Sequence, residues 1–308
     1  MRIHGYRDAP KVEDAPPPDI GADEVLVRVE AAALNPLDAA LHAGALERFF
    51  PLAFPYTMGT DLAGTVEQVG ARVSAWRPGD RVIGRPQPTN GGAFAEFAAV
   101  PGALLVAAPP ALPILQAAGL PTAGGTAWRA LFDHARLQAG QTVLIHAGAG
   151  GVGSFAVQFA HAAHARVLAT ASGDGVEVVR ELGADEVIDY KAQDFTSVVR
   201  DVDVVLDTLG GETRERSFEV LRRGGHLVST VLPLAEEAAK ARGVSASVVS
   251  LTREGVPLRE IAQAFRDHGL RTLIDRAFPL AQIADALARQ ASRRARGKIV
   301  LTLRAGTS

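Results

Sequence analysis

The sequence predicts an α/β protein of two domains, a small β-barrel followed by a doubly wound parallel sheet. Three observations carry that prediction. The N-terminal third consists of short alternating runs broken by turn clusters. From Gln141 onward, apolar strands alternate with helical patterns. The first of those strands runs straight into a glycine-rich turn and then a helix. A chain of 308 residues, 47% of them hydrophobic, has the material for two cores, at roughly 150 residues per domain.

Val25–Val29 alternates apolar and polar residues, the period of a half-buried strand. Gly64–Val69, Arg81–Ile83 and Ala93–Val100 read the same way. Arg77-Pro78-Gly79-Asp80 and Asn90-Gly91-Gly92 are turn clusters, and short strands so punctuated predict a barrel. Proline pairs and triplets at Pro16-Pro17-Pro18 and Pro109-Pro110 mark its borders. In the second half, Gln141–His146, Arg166–Thr170, Glu186–Ile188, Val202–Asp207 and Gly225–Thr230 are predicted strands. Helices are predicted after the glycine turn, over Val176–Leu182 and over Thr213–Leu221. Such alternation makes βαβ units and a parallel sheet. Helical patterns at Leu258–Asp267 and Leu280–Gln290 precede a last strand, Lys298–Leu303.

Composition removes several function classes. The net charge of −2 gives no basic surface for nucleic acid or an anionic membrane. No apolar run approaches the roughly 20 residues of a membrane span, and the first residues lack the apolar stretch of a signal peptide. A cytoplasmic protein acting on a small molecule is expected. Cysteine is absent, which excludes disulfides, thiolate catalysis and cysteine-ligated zinc.

Gly148, Gly150 and Gly153 form G-x-G-x-x-G between a strand and an amphipathic helix, the context in which that pattern means dinucleotide binding. Gly148 is expected to make the tight turn, Gly150 to let backbone approach a pyrophosphate, and Gly153 to let the helix pack on the sheet. Gly151 and Val152 lie in the helix N-terminus, whose N–H groups face the phosphates. At the tip of the second strand, about 20 residues on, NAD sites carry a carboxylate. Here the tip reads Thr170-Ala171-Ser172-Gly173, and a small hydroxyl suits a 2′-phosphate. Asp174 follows, either as a turn residue or as a ribose partner.

With the glycine motif go Asn35-Pro36-Leu37-Asp38, Gly59-Thr60-Asp61-Leu62-Ala63-Gly64, Arg77-Pro78-Gly79-Asp80-Arg81-Val82, Leu182-Gly183-Ala184-Asp185 and Gly297-Lys298-Ile299-Val300-Leu301. Together these resemble the medium-chain dehydrogenase/reductase superfamily, in its zinc-independent quinone oxidoreductase branch, over nearly the whole chain. The resemblance implies a GroES-like, partly open β-barrel domain over 1–110 with 254–308. It implies a Rossmann domain over 111–253, an active site in the cleft between the two, and a homodimer. Zinc-dependent members carry Gly-His-Glu where this chain has Gly59-Thr60-Asp61, so no metal is expected. By the resemblance, Asn35, Asp38, Thr60 and Thr126 lie near the nicotinamide or substrate. Ser172 and Tyr190 lie around the adenosine phosphate of NADP(H), with Arg293 able to reach it. Leu209, Gly210 and Leu232 belong to segments that run under the cofactor. A lysine common in the phosphate pocket is replaced by Gly175 or Val176, and a tyrosine common near the quinone by Leu46.

The residues also have plainer readings. Asn35 can bond the backbone ahead of Pro36, Asp61 and Asp80 suit turns, and Tyr56 is either a packed aromatic or a proton donor alongside Asn35 and Thr60. Three functions remain open: an NADPH-dependent quinone reductase, an enoyl or enone reductase of the same fold, and a cofactor-binding structural or regulatory protein with negligible turnover.

Overall fold

The computed structural model describes residues 1–234, 236–251 and 255–303. The chain divides into two compact units, Met1–Thr122 together with the chain from Leu258 onward, and Ala123–Pro257. The expected boundary at 253/254 falls outside the described residues.

The first unit holds β1 (Arg2–Ile3), β2 (Glu24–Leu34), β3 (Tyr56–Thr57), β4 (Asp61–Val69), β5 (Arg81–Gly84), β6 (Phe97–Pro101) and β7 (Leu105–Ala107). It also holds the late strands β14 (Ile274–Pro279) and β15 (Lys298–Thr302). One sheet runs β14-β15-β2-β4-β5-β7, with β6 also on β2. β2 is its spine. On one side it pairs antiparallel with β4; on the other, Glu24–Arg28 pairs with β6 and Ala31–Leu34 with β15. The register shifts around Val27 and again before Ala31, and such bulges bend a sheet toward closure. Val27, Val29, Leu62, Val66, Phe94, Val100, Ile299 and Leu301 fill the interior, each fully buried side chain of this size contributing about 1.5–3 kcal/mol. The expected strand at Ala93–Val100 begins only at Phe97. Ala93 and Phe94 instead give their amides to Gly59 and Met58, after left-handed Gly91 and Gly92.

Helix α1 (Pro36–His42) starts behind β2 with Pro36 in its first turn and Asn35 as N-cap. Helix α2 (Ile114–Ala118) packs on β2 and β4. The chain therefore leaves this unit only after Thr122, beyond the expected boundary at 110. α3 (Pro121–Trp128) follows.

The second unit carries β8 (Thr142–Ile145), β9 (Arg166–Ala171), β10 (Glu186–Asp189), β11 (Val202–Asp207), β12 (Leu221–Ser229) and β13 (Ser245–Val248). All pair parallel, in the order β10-β9-β8-β11-β12-β13. This is the doubly wound Rossmann order, whose direction reverses between its first and fourth strands. Between the strands run α4 (Gly151–Ala162), α5 (Gly175–Glu181), α6 (Phe195–Val198), α7 (Gly211–Ser217) and α8 (Glu236–Ala241). The expected helix over Thr213–Leu221 starts and ends earlier, because Leu221 already pairs with Val202. In the returning chain, α9 (Leu258–His268) and α10 (Ile283–Ala291) occupy the two expected helical stretches. No helix of the described residues is long and apolar enough to cross a membrane.

A buried histidine ties this second unit together. His146 follows β8, with Nδ1 3.2 Å from the Thr170 hydroxyl on β9 and Nε2 2.9 Å from the Ser217 hydroxyl on α7. Ser217 gives its own proton to the Thr213 carbonyl. Nε2 is therefore the donor, and Nδ1 accepts from Thr170. Burial pushes His146 down to about 4, against the smaller opposing pull of Asp207. In the unfolded chain the ring returns to about 6.5, so between these values the unfolded state binds the extra proton. The stability contributed by the neutral ring is complete above pH 6.5 and is lost as the pH falls toward 4, by on the order of 3 kcal/mol at most. Urea unfolding at about pH 7 and about pH 4.5 is expected to show a larger acid loss for the wild type than for His146→Gln. Equal losses would remove His146 as an acid-sensitive group.

Candidate active site

The glycine turn lies at the C-terminal end of β8, where the sheet order reverses and open α/β sheets bind ligands. The left-handed residue is Ala147, at φ 53°, rather than Gly148. Its amide is held by the Thr170 hydroxyl at 3.1 Å, and that of Gly148 by the Thr170 carbonyl at 2.8 Å. Gly148 lies inside the tight turn as expected, the Gly150 amide closing it on the Ala147 carbonyl at 2.8 Å, and it also serves close packing, since a Cβ there would lie 3.0 Å from that of Ala169 and 3.1 Å from Val179. A Cβ on Gly153 would stand 2.1 Å from the Ala147 carbonyl oxygen, so only glycine lets α4 approach this closely. At Gly150 a Cβ would meet only Ala147, at 3.1 Å and beyond, and otherwise open space. The first helical bond is Ser154 N–H to the Gly150 carbonyl. The amides of Gly151, Val152 and Gly153 precede it and have no intrahelical acceptor. Open space at Gly150 beside these amides and a positive helix end fits a diphosphate.

Two neighbouring strand ends carry hydroxyls. Ser172 follows β9 and Tyr190 follows β10, whose last residues are register partners. The Ser172 hydroxyl donates to the Tyr190 oxygen at 3.0 Å, and Tyr190 is 57% exposed. Asp174 is the exposed N-cap of α5. Arg293 is exposed and left-handed just past α10, in the first unit.

The ends of β11 and β12 are organised by Asp207, which is fully buried. Its Oδ1 accepts the amides of Leu209 and Gly210, and its Oδ2 accepts the Ser229 hydroxyl. Ser229 in turn receives the Val231 amide at 3.0 Å. The loops thus fixed present Leu209 and Leu232 at 53% and 72% exposure, an apolar pair on the surface. Thr126 is half-buried on α3.

The first unit brings Asn35, Asp38 and Thr60 into one buried polar cluster, with residues that sequence reasoning missed. The Asp38 carboxylate accepts the Asn35 backbone N–H at 2.8 Å and the Thr60 hydroxyl at 2.9 Å. Asp61 is the first residue of β4 rather than a turn residue and is fully buried. It accepts Asn35 Nδ2 at 2.9 Å, Thr122 Oγ1 at 2.6 Å and the Thr122 amide at 3.1 Å. Lys298, from β15, donates to Asn35 Oδ1 at 2.5 Å and to the Leu34 carbonyl at 3.2 Å. The Asn35 amide is therefore locked, its oxygen toward Lys298 and its nitrogen toward Asp61. Arg85 donates from Nε to Thr122 Oγ1 at 3.0 Å. Burial, and then Asp61, push Asp38 up to about 7, against the pull of its hydrogen bonds and Lys298. Burial lowers Lys298. Tyr56 is buried with its hydroxyl donating to the Pro88 carbonyl at 2.7 Å, and burial raises its pKa, so its proton is committed within the protein. Asp80 is a turn residue as expected, accepting the Arg77 amide. Among the described residues no group of three or more His, Asp or Glu is placed to hold a metal ion.

Residues 21–110 match the family model described as an alcohol dehydrogenase GroES-like domain, and residues 182–301 match that described as a zinc-binding dehydrogenase. The chain is 33% identical to a chloroplastic quinone-oxidoreductase homolog of Spinacia oleracea, over 96% of this chain and 95% of that protein. It is also 33% identical to an NADPH-dependent alkenal/one oxidoreductase of Arabidopsis thaliana, over 92% of this chain and 73% of that one. The quinone oxidoreductase structure from Coxiella burnetii superposes with a TM-score of 0.88 at 31% identity, covering 98% of each chain.

The open space at Gly150 gives a direct test. Its backbone, φ −80° and ψ 178°, is accessible to any residue, so Gly150→Val is expected to fold with native circular dichroism. Its side chain fills the space beside the helix amides, and calorimetric titration with NADPH is expected to show no binding. Wild-type affinity in the folded variant would place the phosphates elsewhere.

Proposed function

This chain belongs to the medium-chain dehydrogenase/reductase superfamily, in its quinone oxidoreductase branch, and on that premise we propose that it is an NADPH-dependent reductase. It passes a hydride to a quinone or related electron-poor acceptor without zinc. The observation that carries the reading is the hydroxyl pair Ser172–Tyr190 at the strand ends beside the glycine turn, with no carboxylate at the tip of β9. A carboxylate there would bond the ribose hydroxyls and repel a 2′-phosphate; two hydroxyls accept one. Bound NADPH supplies the hydride. The second unit holds its diphosphate at Gly150, Gly151, Val152 and Gly153 and offers Leu209, Gly210, Leu232 and Thr126 to the rest of it. Arg293 adds a charged donor to the 2′-phosphate. Asn35, Asp38 and Thr60, bonded to one another, form the buried polar floor on the acceptor's side.

An electron-poor acceptor needs no metal to polarise an alcohol, which agrees with a chain that lacks cysteine and carries Thr60 in place of a histidine ligand. The Arabidopsis relative's alkenal/one acceptors favour a second reading, an enone reductase using the same residues. On either reading the working form is a cytoplasmic homodimer, with the outer side of edge strand β13 available to a second copy.

NADPH oxidation is to be followed across quinones, enones and acyl thioesters. Turnover with quinones first is expected; preference for enones selects the second reading. Tight NADPH binding with no turnover on any acceptor would leave a structural or regulatory role. Efficiency with NADPH is expected to exceed that with NADH by about ten- to a hundredfold, the worth of one charged contact of about 1.5–3 kcal/mol. Arg293→Ala is expected to remove most of that ratio. A wild-type preference for NADH would overturn the cofactor assignment and select Asp174 as the ribose partner.

A further inference from the structure

Arg85 is 7% exposed, yet only its Nε is engaged, with Thr122 Oγ1. Neither terminal nitrogen makes a hydrogen bond among the described residues, and neither is sealed from solvent. A buried guanidinium with a free fork is costly unless something compensates its charge. Burial lowers the Arg85 pKa from its ordinary value, and Asp61 and then Asp38 oppose that through space in part. Their oxygens are already bonded, Asp61 to Thr122 and Asn35, and Asp38 to Asn35 and Thr60. The cluster therefore offsets part of the cost of burying Arg85 without consuming its terminal donors. Thr122 is anchored at two points on Asp61 and holds the root of the fork. This is a preorganised donor pair for an oxygen that gains negative charge.

We propose that Arg85 is a catalytic residue whose two terminal NH₂ groups bind the carbonyl oxygen of the acceptor and stabilise the oxyanion formed on it. The proposal rests on the reductase reading and names the chemistry of its acceptor. The acceptor gains a hydride, two electrons and a proton, from the reduced nicotinamide, which is oxidised. In a quinone the hydride bonds to one quinone oxygen as the nicotinamide C–H bond breaks, the ring π electrons shift to the opposite oxygen held by Arg85, and that oxygen takes a proton from water to give the hydroquinone. In an enone the hydride bonds to the β-carbon, the C=C electron pair forms the enolate whose oxygen Arg85 holds, and the α-carbon takes the proton from water to give the saturated ketone. A charge-assisted bond to the oxyanion is about twice as strong as one to the neutral carbonyl, so Arg85 acts mainly in the transition state.

Arg85→Gln is the decisive variant. The amide nitrogen of glutamine occupies the position of the arginine Nε, so the bond to Thr122 can persist while the fork is deleted. Arg85→Lys keeps charge without the fork. The first readout is independent of turnover: 4-nitrophenol is added to the cofactor-free full chain near its own pKa, and the phenolate absorption band is followed. The wild type is expected to bind the phenolate form and raise the ionised fraction. Arg85→Gln is expected to bind it at least tenfold more weakly, and Arg85→Lys to fall between. The second readout is quinone reduction, where Arg85→Gln is expected to lower kcat about 10²-fold with the KM for NADPH unchanged. Wild-type phenolate binding by folded Arg85→Gln would overturn the proposal, as would equal weakening of phenolate and NADPH binding. If no acceptor is reduced by the wild type, the reductase reading fails, and the phenolate titration alone decides whether Arg85 is an oxyanion site.

Discussion

A carboxylate removed from water has to be given donors by the protein, and in the first unit that requirement falls on Asp61. It sits at the start of β4 with no exposed surface. Thr122 supplies two donors and Asn35 a third. Turning the Asn35 nitrogen toward Asp61 turns its oxygen toward Lys298; anchoring Thr122 anchors Arg85. Side chains just after β2 and β5, at the start of α3 and in β15 take their orientation, directly or through one another, from one anion. Within this cluster Asp61 and Asp38 oppose the lowering that burial imposes on Lys298 and Arg85, while burial and the neighbouring Asp61 raise Asp38.

At the glycine turn the second unit solves a related problem with a neutral histidine and hydroxyls. Ala147 has to take a left-handed conformation that disfavours a side chain, and the Thr170 hydroxyl captures its amide. His146 orients Thr170 and reaches Ser217 on the opposite flank. At the neighbouring strand ends, Asp207 does the same for the loops carrying Leu209, Gly210 and Val231, directly or through Ser229. Loops at the mouth of a parallel sheet are thereby held in place by buried polar side chains rather than by their own packing.

What was legible in the sequence follows from the range of the interactions. The glycine turn and its helix are local and periodic, and their place after the first strand of the parallel sheet could be read directly. Tyr190 and Ser172 were reachable through the resemblance, and the strand register then sets their side chains against each other. The turn does enclose Gly148, but its left-handed residue is Ala147, which no local signal marks, because a distant hydroxyl, that of Thr170, makes the conformation tolerable there. Lys298 was hidden in an apolar strand pattern, and its partner Asn35 lies 263 positions away. Arg85 and Thr122 carry no local signal, since their roles exist only once Asp61 is buried. Asp61 itself read as a turn residue because aspartate commonly is one. Strand limits at β6 and β12 shifted where single amides found partners outside the expected ladder.

The position of β15 has a consequence for biosynthesis. It lies between β14 and β2, and Lys298 at its start donates to Asn35 and Leu34 at the end of β2. Until residues 298–302 leave the ribosome, Ala31–Leu34 has no strand on that side, and the acidic cluster lacks its ammonium. The second unit is drawn from a single continuous stretch, 123–257, and can complete its sheet while this waits. The barrel that begins the chain is thus the part that finishes folding last. In the interval an open β2 edge is the nascent protein's point of exposure to misassembly and to chaperones.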